Sequence, residues 1–419
     1  MPGNFLLAER TLIHHLTCPL HTRYGCPIIG WSAGRFSGCT EAPPNWEDDK
    51  LHFDAMLTAA VAARARNRHD LEQRCGGGRT NFQSDGPRDM TTTRPPSTLF
   101  IEITQECNYH CRYCHMWTLK DNSHALSADE KASTIRQFAR LNPAGYVCFC
   151  GGEVMMKDEF WMLVREAREC GLRSAANTNG SYIGPDDHER VLKQGPDRLY
   201  FSLDSHTPNV HDYHRGVPGS FAATVRTLSG LISLRRQIGR HGRTQLFTNS
   251  VLTDRNIHDV LRYASFAAGL GLDGCTFQVL NPTFHRKGRK DVFYRKNFFS
   301  DRTAAIKVLQ EVREHLSEYP IIKTTDNDLR WMQSYIADPD GLTEPICNSH
   351  ERNMMVDHLG EVQLCFAMRS IFGGKSIGNI RSSDLSDLWA GDEAGAARDI
   401  MERCRRPCGM LNCHRRQQL

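Results

Sequence analysis

The stretch Leu99-Phe-Ile-Glu-Ile-Thr104, followed closely by Cys107-Asn-Tyr-His-Cys111-Arg-Tyr-Cys114, decides the fold. The first six residues predict a β-strand, and the three thiols then share one loop. A [4Fe–4S] cluster has four irons, so three cysteine ligands leave one iron open to a small-molecule chelator. The chain has 16 Cys in 419 residues. At that content chance produces this spacing roughly 0.02 times, so coincidence is a weak explanation.

Strand patterns alternate with amphipathic helix patterns from residue 99 onward, which predicts a parallel sheet built from βα units. The predicted strands are 99–104, 146–150, 174–178, 199–204, 245–252 and 275–280. The predicted helices are 127–141, 159–170, 186–193, 221–234, 257–270 and 303–316, the first with a capping box formed by Ser127 and Glu130. Six units are too few for a closed eight-stranded barrel. We therefore expect an α/β fold with a partial, TIM-like (β/α)6 barrel whose active face lies at the carboxyl ends of the strands.

The chain divides into three parts by composition and pattern. Residues 1–98 are rich in Gly, Pro, Arg and Thr, with one helical stretch at 53–66, and are expected to be a peripheral or poorly ordered extension. Residues 99–320 form the predicted barrel. Residues 321–419 form a smaller domain with a helix near 328–336 and a hairpin over 354–365 that turns at Gly360. Since ordered patterning begins beyond Met90, that residue is an alternative candidate for the start of the protein.

The cysteines fall in clusters, which in a chain without a recognisable signal peptide favours metal ligation over secreted disulfides. The thiols of the C-terminal region are Cys347, Cys365, Cys404, Cys408 and Cys413. The possible zinc ligands of the N-terminal region are Cys18, Cys26, Cys39, Cys75, His14, His15 and His21. No close CxxC pair anchors this N-terminal set, so unpaired thiols are the favoured interpretation there.

Composition limits the classes of partner. The formal net charge is +4, with 24% charged residues and no long run of one sign, so nucleic acid is not expected as a partner. No apolar stretch approaches the roughly 20 residues that a membrane-spanning helix needs. We therefore expect a cytoplasmic protein with 40% hydrophobic residues, enough for a large core.

The cysteine loop resembles the CxxxCxΦC motif of the radical S-adenosylmethionine (SAM) superfamily, with Tyr113 as the aromatic Φ residue. Gly151, Gly152 and Glu153 end the second strand and resemble the GGE motif of that family. The resemblance implies that this motif holds the amino group of SAM: the glycines permit close approach, and the carboxylate accepts from an ammonium. The family usually has Pro after the Glu, and this chain has Val154.

Two further strand ends are similar to family motifs. Asn179 lies in a TNG sequence after the third strand, and Ser202 in an SLD sequence at the fourth. A following HDxxR-like stretch contains His211 and Arg215. The resemblance implies that Asn179 and Ser202 contribute to the SAM site, and that Arg215 pairs with a carboxylate of SAM or substrate. For Asp204 and His211, loop hydrogen bonding and direct ligand contact remain equal alternatives.

The C-terminal region resembles the auxiliary-cluster domains called SPASM and twitch. Cys347 and the GxxxxC segment from Gly360 to Cys365 match their opening, and 377–380 (GNI) and 388–389 (LW) match later segments. This resemblance implies one auxiliary [4Fe–4S] cluster in a twitch-like or shortened SPASM domain. Its ligands would come from Cys347, Cys365, Cys404, Cys408 and Cys413, with one thiol spare and the adjacent His414 as a less favoured substitute.

The resemblance implies an enzyme that reductively cleaves SAM to a 5′-deoxyadenosyl radical and abstracts hydrogen from a peptide or small-molecule substrate. The auxiliary cluster would assist oxidation or modification, and a reductase, flavodoxin or ferredoxin would donate electrons. One alternative is a non-enzymatic iron–sulfur or zinc protein for electron transfer or structure, with His110 or His115 as a fourth zinc ligand. Another is an inactive barrel that binds a partner.

Several side chains near the predicted barrel mouth have no assigned role. Cys148, Cys150 and Cys275 are interpreted as buried core thiols, with hydrogen-atom donation to a substrate radical as the alternative. The loop histidines that leave room for a general base are His115, His206, His211 and His214. Since none of them is singled out by its pattern, the catalytic residues stay unassigned.

Overall fold

The structure, a computed structural model, describes residues 94–119, 123–239, 242–282, 291–341, 347–368 and 373–405. All the described residues belong to one compact unit. The predictions for residues 1–93, including the N-terminal zinc ligands and Met90, lie outside the described residues. The same holds for Cys408, Cys413 and His414.

A mostly parallel sheet organises the described residues, and its eight strands lie in the order β6-β5-β4-β3-β2-β1-β7-β8. The first six strands are β1 (Thr98–Thr104), β2 (Tyr146–Gly151), β3 (Arg173–Thr178), β4 (Arg198–Ser202), β5 (Gln245–Leu252) and β6 (Gly274–Val279). All their pairings are parallel and follow chain order, as in a singly wound barrel. The predicted α/β class and six-strand partial barrel are therefore confirmed.

The helices α1 to α6 are Ala128–Leu141, Glu159–Glu169, His188–Gln194, Pro208–Arg215, Ser220–Ile238 and Val260–Leu270. The helices α7 to α12 are Val292–Asn297, Arg302–Glu314, Asp326–Ala337, Ser349–Arg352, Leu385–Ala390 and Asp392–Glu402. The predicted capping box of α1 is present: Ser127 and Glu130 exchange side-chain and backbone hydrogen bonds. Helices α4, α7, α10, α11 and α12 were not predicted, and α4, α7, α10 and α11 are at most eight residues long.

Side chains of the barrel strands alternate between an outer face that packs against helices and an inner face that lines the barrel. On β2, Val147 and Phe149 are fully buried, and the ring of Phe149 meets that of Phe160 on α2 at 5.7 Å. Cys148 and Cys150 alternate with them and lie on the inner face. On β6, Cys275 lies on the outer face of the sheet and is buried in the hydrophobic core there.

The C-terminal region extends the barrel sheet. Strand β7 (Asn353–Val356) pairs in parallel with β1 and antiparallel with β8 (Val362–Gln363), which confirms the predicted hairpin. Gly360 adopts φ +86° at its turn, a conformation that favours glycine. The barrel and the C-terminal region therefore share one sheet through β1.

Candidate functional site

The cysteine loop runs directly from the carboxyl end of β1. The backbone N–H of Cys114 donates to the carbonyl of Cys111 at 3.0 Å, which closes a turn between the two thiols. Burial raises the pKa of Cys107 to about 11 and that of Cys114 to about 12, and it also raises the pKa of Cys111. The charge of Arg215 opposes all three shifts. Because thiolate is the ligating form, metal binding to this buried loop must displace protons.

The end of β2 packs tightly against the cysteine loop. Gly152 N–H donates to the carbonyl of Thr104 at 2.7 Å, and Glu153 N–H donates to that of Glu106 at 2.8 Å. A Cβ on Gly152 would lie 1.9 Å from the Glu106 oxygen, so only glycine fits. Gly151 has φ +127°, and a Cβ there would lie 2.2 Å from the Thr104 oxygen. Both glycines therefore allow the end of β2 to approach the backbone that leads into the cysteine loop.

The carboxylate of Glu153 is 1% exposed and is bound by neutral donors alone. Its Oε1 accepts from the Thr178 hydroxyl at 2.6 Å and from Met155 N–H at 3.2 Å, and its Oε2 accepts from Asn179 N–H at 2.6 Å. Burial raises the pKa of Glu153 above its ordinary 4.5, although these donors and the charge of Arg215 oppose the shift. Among the residues that the structure describes, Glu153 has no ion-pair partner, so a ligand ammonium fits this site.

Asn179 links the Glu153 site to the cysteine loop. Its side-chain NH₂ donates to Asn108 at 3.0 Å, and Asn108 in turn donates to the Ser181 hydroxyl at 2.8 Å. Asn108 directly follows Cys107, and neither Asn108 nor Ser181 was predicted from the sequence. The one feature of the sequence that could have identified these two residues is that both are polar and lie beside motif positions. Ser202 lies on the inner face of β4, paired in register with Asn249 of β5.

Arg215 joins the cysteine loop to a second buried carboxylate. Its Nε lies 2.9 Å from Oδ2 of Asp204, and its Nη1 lies 3.8 Å from Sγ of Cys111. The phenol of Tyr113 donates to the same Oδ2 at 3.0 Å. Burial alone would raise the pKa of Asp204, but the charge of Arg215, together with His214, His211 and the Val251 N–H, outweighs it and lowers that pKa below 3.8.

Asp204 and His211 take part in hydrogen bonding within the loop, which is one of the two alternatives predicted for them. Asp204 N–H donates to Nδ1 of His211 at 3.1 Å. Burial, together with the charge of Arg215, lowers the pKa of His211 to about 4, so its ring is neutral at pH 7. The N–H of Asp204 thus bonds to a side chain and not to a neighbouring strand, and β4 ends at Ser202 and not at the predicted residue 204.

The C-terminal thiols Cys347, Cys365 and Cys404 lie in segments that the structure brings together. Ser349 N–H donates to Sγ of Cys347 at 3.4 Å, and the Ser349 hydroxyl donates to the carbonyl before Cys365 at 2.7 Å. Arg398 of α12, which ends just before Cys404, donates to the carbonyl of residue 350 at 3.3 Å. None of the described thiols forms a disulfide.

The chemistry of the donor sets fits clusters better than single ions. Within the described ranges, no three His, Cys, Asp or Glu side chains converge on a point suited to one metal ion. A [4Fe–4S] cluster binds each thiolate on a different iron and therefore accepts wider spacing. In the same part of the chain, no helix combines the length and apolar character needed to span a bilayer.

Comparisons with known proteins agree with this geometry. The family model described as the radical SAM superfamily matches residues 101–235, and the SPASM model, an iron–sulfur cluster-binding domain, matches 347–414. The chain is 25% identical to an AdoMet-dependent heme synthase of Nitratidesulfovibrio vulgaris, over 79% of this chain and 89% of that protein. It is 31% identical to the mycofactocin maturase MftC of Mycobacterium ulcerans, over 38% of this chain and 45% of that protein.

The fold is similar to that of Streptococcus suis SuiB. The crystal structure of SuiB bound to S-adenosylmethionine aligns with a TM-score of 0.58 at 16% identity, over 76% of this chain and 74% of SuiB. The complex of SuiB with its precursor peptide SuiA aligns with the same TM-score at 15% identity, over 87% of this chain and 86% of SuiB. At these identities the similarity establishes the fold.

Proposed function

Because the chain belongs to the radical SAM superfamily and carries a SPASM-type C-terminal domain, we propose that it abstracts hydrogen from a peptide or small-molecule substrate. When bound, the [4Fe–4S] cluster supplies the electron that cleaves SAM to a 5′-deoxyadenosyl radical. An auxiliary cluster in the C-terminal domain assists oxidation or modification of the substrate.

One observation carries the proposal: a buried, uncompensated carboxylate lies at a strand end that is bonded to the three-thiol loop. Cys107, Cys111 and Cys114 hold the cluster, and Glu153 accepts from the ammonium of SAM. Arg215 supplies a cation for a carboxylate on the other side of the loop. These two charges, the Glu153 carboxylate and the Arg215 guanidinium, match a ligand that carries both an ammonium and a carboxylate.

The inner face of the barrel supports a polar substrate. Glu102 of β1 pairs in register with Cys150 of β2 and lies 3.8 Å from Nδ1 of His358, which the C-terminal region contributes. On β5 and β6, the Thr276 hydroxyl donates to Asn249 at 3.1 Å. The maturase relative and the SuiB–SuiA complex favour a peptide over a small molecule.

The C-terminal thiols support the auxiliary cluster. Cys347, Cys365 and Cys404 lie in neighbouring segments of the region that matches SPASM. Because β7 pairs with β1, this region is joined to the strand that leads into the cysteine loop. A redox centre here would sit in the same folded unit as the SAM site.

The test is anaerobic reconstitution followed by iron and sulfide analysis, EPR and a SAM cleavage assay. We expect about eight Fe per chain in wild type and about four in the Cys107/Cys111/Cys114→Ala variant, with 5′-deoxyadenosine made by wild type alone. The control is Cys275→Ala, a buried thiol of the outer core, which should keep both clusters and SAM cleavage. Zinc in place of iron, or clusters without SAM cleavage, would instead indicate a structural or electron-transfer protein.

A further inference from the structure

We propose that Arg215 donates a hydrogen bond to the Cys111 sulfur and thereby raises the reduction potential of the cluster, and that Asp204 is the positioning residue that holds Arg215 there. The proposal deepens the proposed function and rests on it. It assigns Arg215 a role toward the cluster itself, which is separate from any role toward a carboxylate of SAM or substrate.

The guanidinium is divided between two partners. Its Nε faces Asp204 at 2.9 Å, and its Nη1 faces the Cys111 sulfur at 3.8 Å, within the range of hydrogen bonds to sulfur. The guanidinium is planar and rigid, so the ion pair that keeps Nε beside the carboxylate also limits where the two Nη groups can lie. The side chain of Arg215 is 7% exposed and that of Asp204 is fully buried.

Asp204 is itself held from several sides. Its Oδ1 accepts from Val251 N–H at 3.0 Å, and its backbone carbonyl accepts from the Ser250 hydroxyl at 2.9 Å and the Asn256 amide at 2.7 Å. Tyr113, between two of the cluster thiols, donates to its Oδ2. The carboxylate therefore cannot rotate without breaking its contacts to β5 and to the cysteine loop.

The backbone of helix α4 fixes the other end of Arg215. Arg112 N–H of the cysteine loop donates to the carbonyl of His214 at 2.9 Å. Gly216 follows with φ +67°, and a Cβ there would lie 2.3 Å from the carbonyl oxygen of His110. Helix α4 thus ends in direct backbone contact with the cysteine loop, and this contact places Arg215 beside Cys111.

The physical consequence follows from charge. Reduction adds negative charge to a cluster and its thiolates, and a fixed cation that donates to a ligand sulfur stabilises the reduced state more than the oxidised one. Hydrogen bonds to the sulfurs and solvent exposure are recognised determinants of cluster potential. Arg215 supplies the hydrogen bond in a buried setting, where charge interactions are strong.

The experiment is an EPR-monitored redox titration of the reconstituted protein without SAM. The main variant is the double change Asp204→Asn with Arg215→Gln, which removes both charges together and leaves neither buried unpaired. We expect the equilibrium for cluster reduction to become about tenfold less favourable, which corresponds to about 59 mV for a one-electron couple. The single variant Asp204→Asn keeps the guanidinium and removes the negative charge that offsets it, so we expect its potential to lie above that of the double variant.

The matched control is Asp273→Asn. Asp273 also pairs with an arginine, Arg235, and also accepts a backbone N–H of β5, from Leu246 at 2.7 Å, at the opposite end of that strand. The reduction potential of the cluster in the Asp273→Asn variant should equal that in wild type. A double variant that holds its full iron content and titrates at the wild-type potential would overturn the proposal. A wild type that binds the cluster but makes no 5′-deoxyadenosine would overturn the proposed function alone, since the titration omits SAM.

Discussion

Glu153 and Asp204 are two buried carboxylates that follow β2 and β4, with β3 between them, and they differ in how their charge is compensated. Asp204 faces the guanidinium of Arg215 at 2.9 Å, whereas Glu153 is bound by one hydroxyl and two backbone N–H groups. Burying a carboxylate is costly unless a cation is near. Asp204 therefore completes its site within the chain, whereas Glu153 leaves a negative charge for a ligand to meet. This contrast is the basis on which we propose Asp204 as a positioning residue and Glu153 as a ligand-binding one.

The shifted pKa values of the two carboxylates make the stability of the fold depend on pH in opposite directions. The pKa of Asp204 is lowered on folding, so its contribution to stability is present above the unfolded value of about 3.9 and is lost as pH falls through the folded value. The pKa of Glu153 is raised on folding, with burial as the main cause. The folded state then binds that proton more tightly, so stability falls as pH rises through the raised pKa. A bound ammonium would reverse the penalty at Glu153.

The largest expected effect is on the Asp204 side of the comparison. Asp204→Ala leaves Arg215 buried without its partner, and we expect the free energy of unfolding to fall by about 3–5 kcal/mol. Denaturant unfolding followed by circular dichroism measures it. Asp273→Ala breaks a half-exposed pair and should cost about 1 kcal/mol. Equal losses in the two variants would mean that burial of the Asp204 pair has no special weight.

Glu153→Gln should behave in the opposite way. Removing an uncompensated charge should leave the stability of the ligand-free protein unchanged or higher, while the Kd for SAM rises about tenfold or more, equivalent to about 1.4 kcal/mol. Isothermal titration calorimetry on the reconstituted protein measures this. Glu106→Gln is the control, because Glu106 reaches outward to Lys157 at 2.9 Å. If Glu153→Gln bound SAM as tightly as wild type does, Glu153 would not be part of the SAM site.

The raised pKa of Glu153 adds a pH signature to the same comparison. As pH falls toward the raised pKa of Glu153, the ammonium of SAM stays charged, whereas the carboxyl begins to take up a proton. We expect the SAM affinity of wild type to weaken as pH falls toward that pKa and the affinity of Glu153→Gln to stay flat. Calorimetric titrations at several pH values provide the measurement. Parallel curves for the two proteins would contradict the assignment.

The sequence predicted what is local and missed what is assembled in space. The six strands, the capping box of α1 and the motif residues at strand ends follow from short-range patterns. The contact among Tyr113, Asp204 and Arg215 joins positions up to about a hundred residues apart, and no spacing rule reveals it. Helix α4 has eight residues with Pro208 at its start, too short for a clear hydrophobic period. It is fixed by packing on the cysteine loop.

A smaller effect is expected at Gly216, which sets the helix end beside Arg215. Gly216 and Gly219 both have positive φ, at +67° and +81°, but only Gly216 has a neighbour in the way of a Cβ. We expect Gly219→Ala to cost about 1 kcal/mol from backbone strain, and Gly216→Ala to cost about 1–3 kcal/mol more and to lower cluster retention. Thermal unfolding and iron content measure the two effects. Equal behaviour would show that the contact with the cysteine loop carries no energy.

The smallest effect is expected at an exposed ion pair, which tests whether burial is what distinguishes Asp204. Arg381 of the C-terminal region pairs with Glu130 at 2.6 Å and also donates to the carbonyl of His124 at 3.0 Å. The bond from Arg381 lowers the pKa of Glu130 to about 2.

The side chains of Arg381 and Glu130 are 41% and 35% exposed, so solvent screens their interaction. Arg381→Ala should therefore cost about 0.5–1 kcal/mol at pH 7. Since the pKa of Glu130 is lowered, that difference should shrink as pH falls from 4.5 toward about 2. Denaturant unfolding at several pH values measures it, with Arg262→Ala, which removes an exposed pair within one helical turn, as the control. A cost equal to that of Asp204→Ala would show that geometry, and not burial, sets the strength of these pairs.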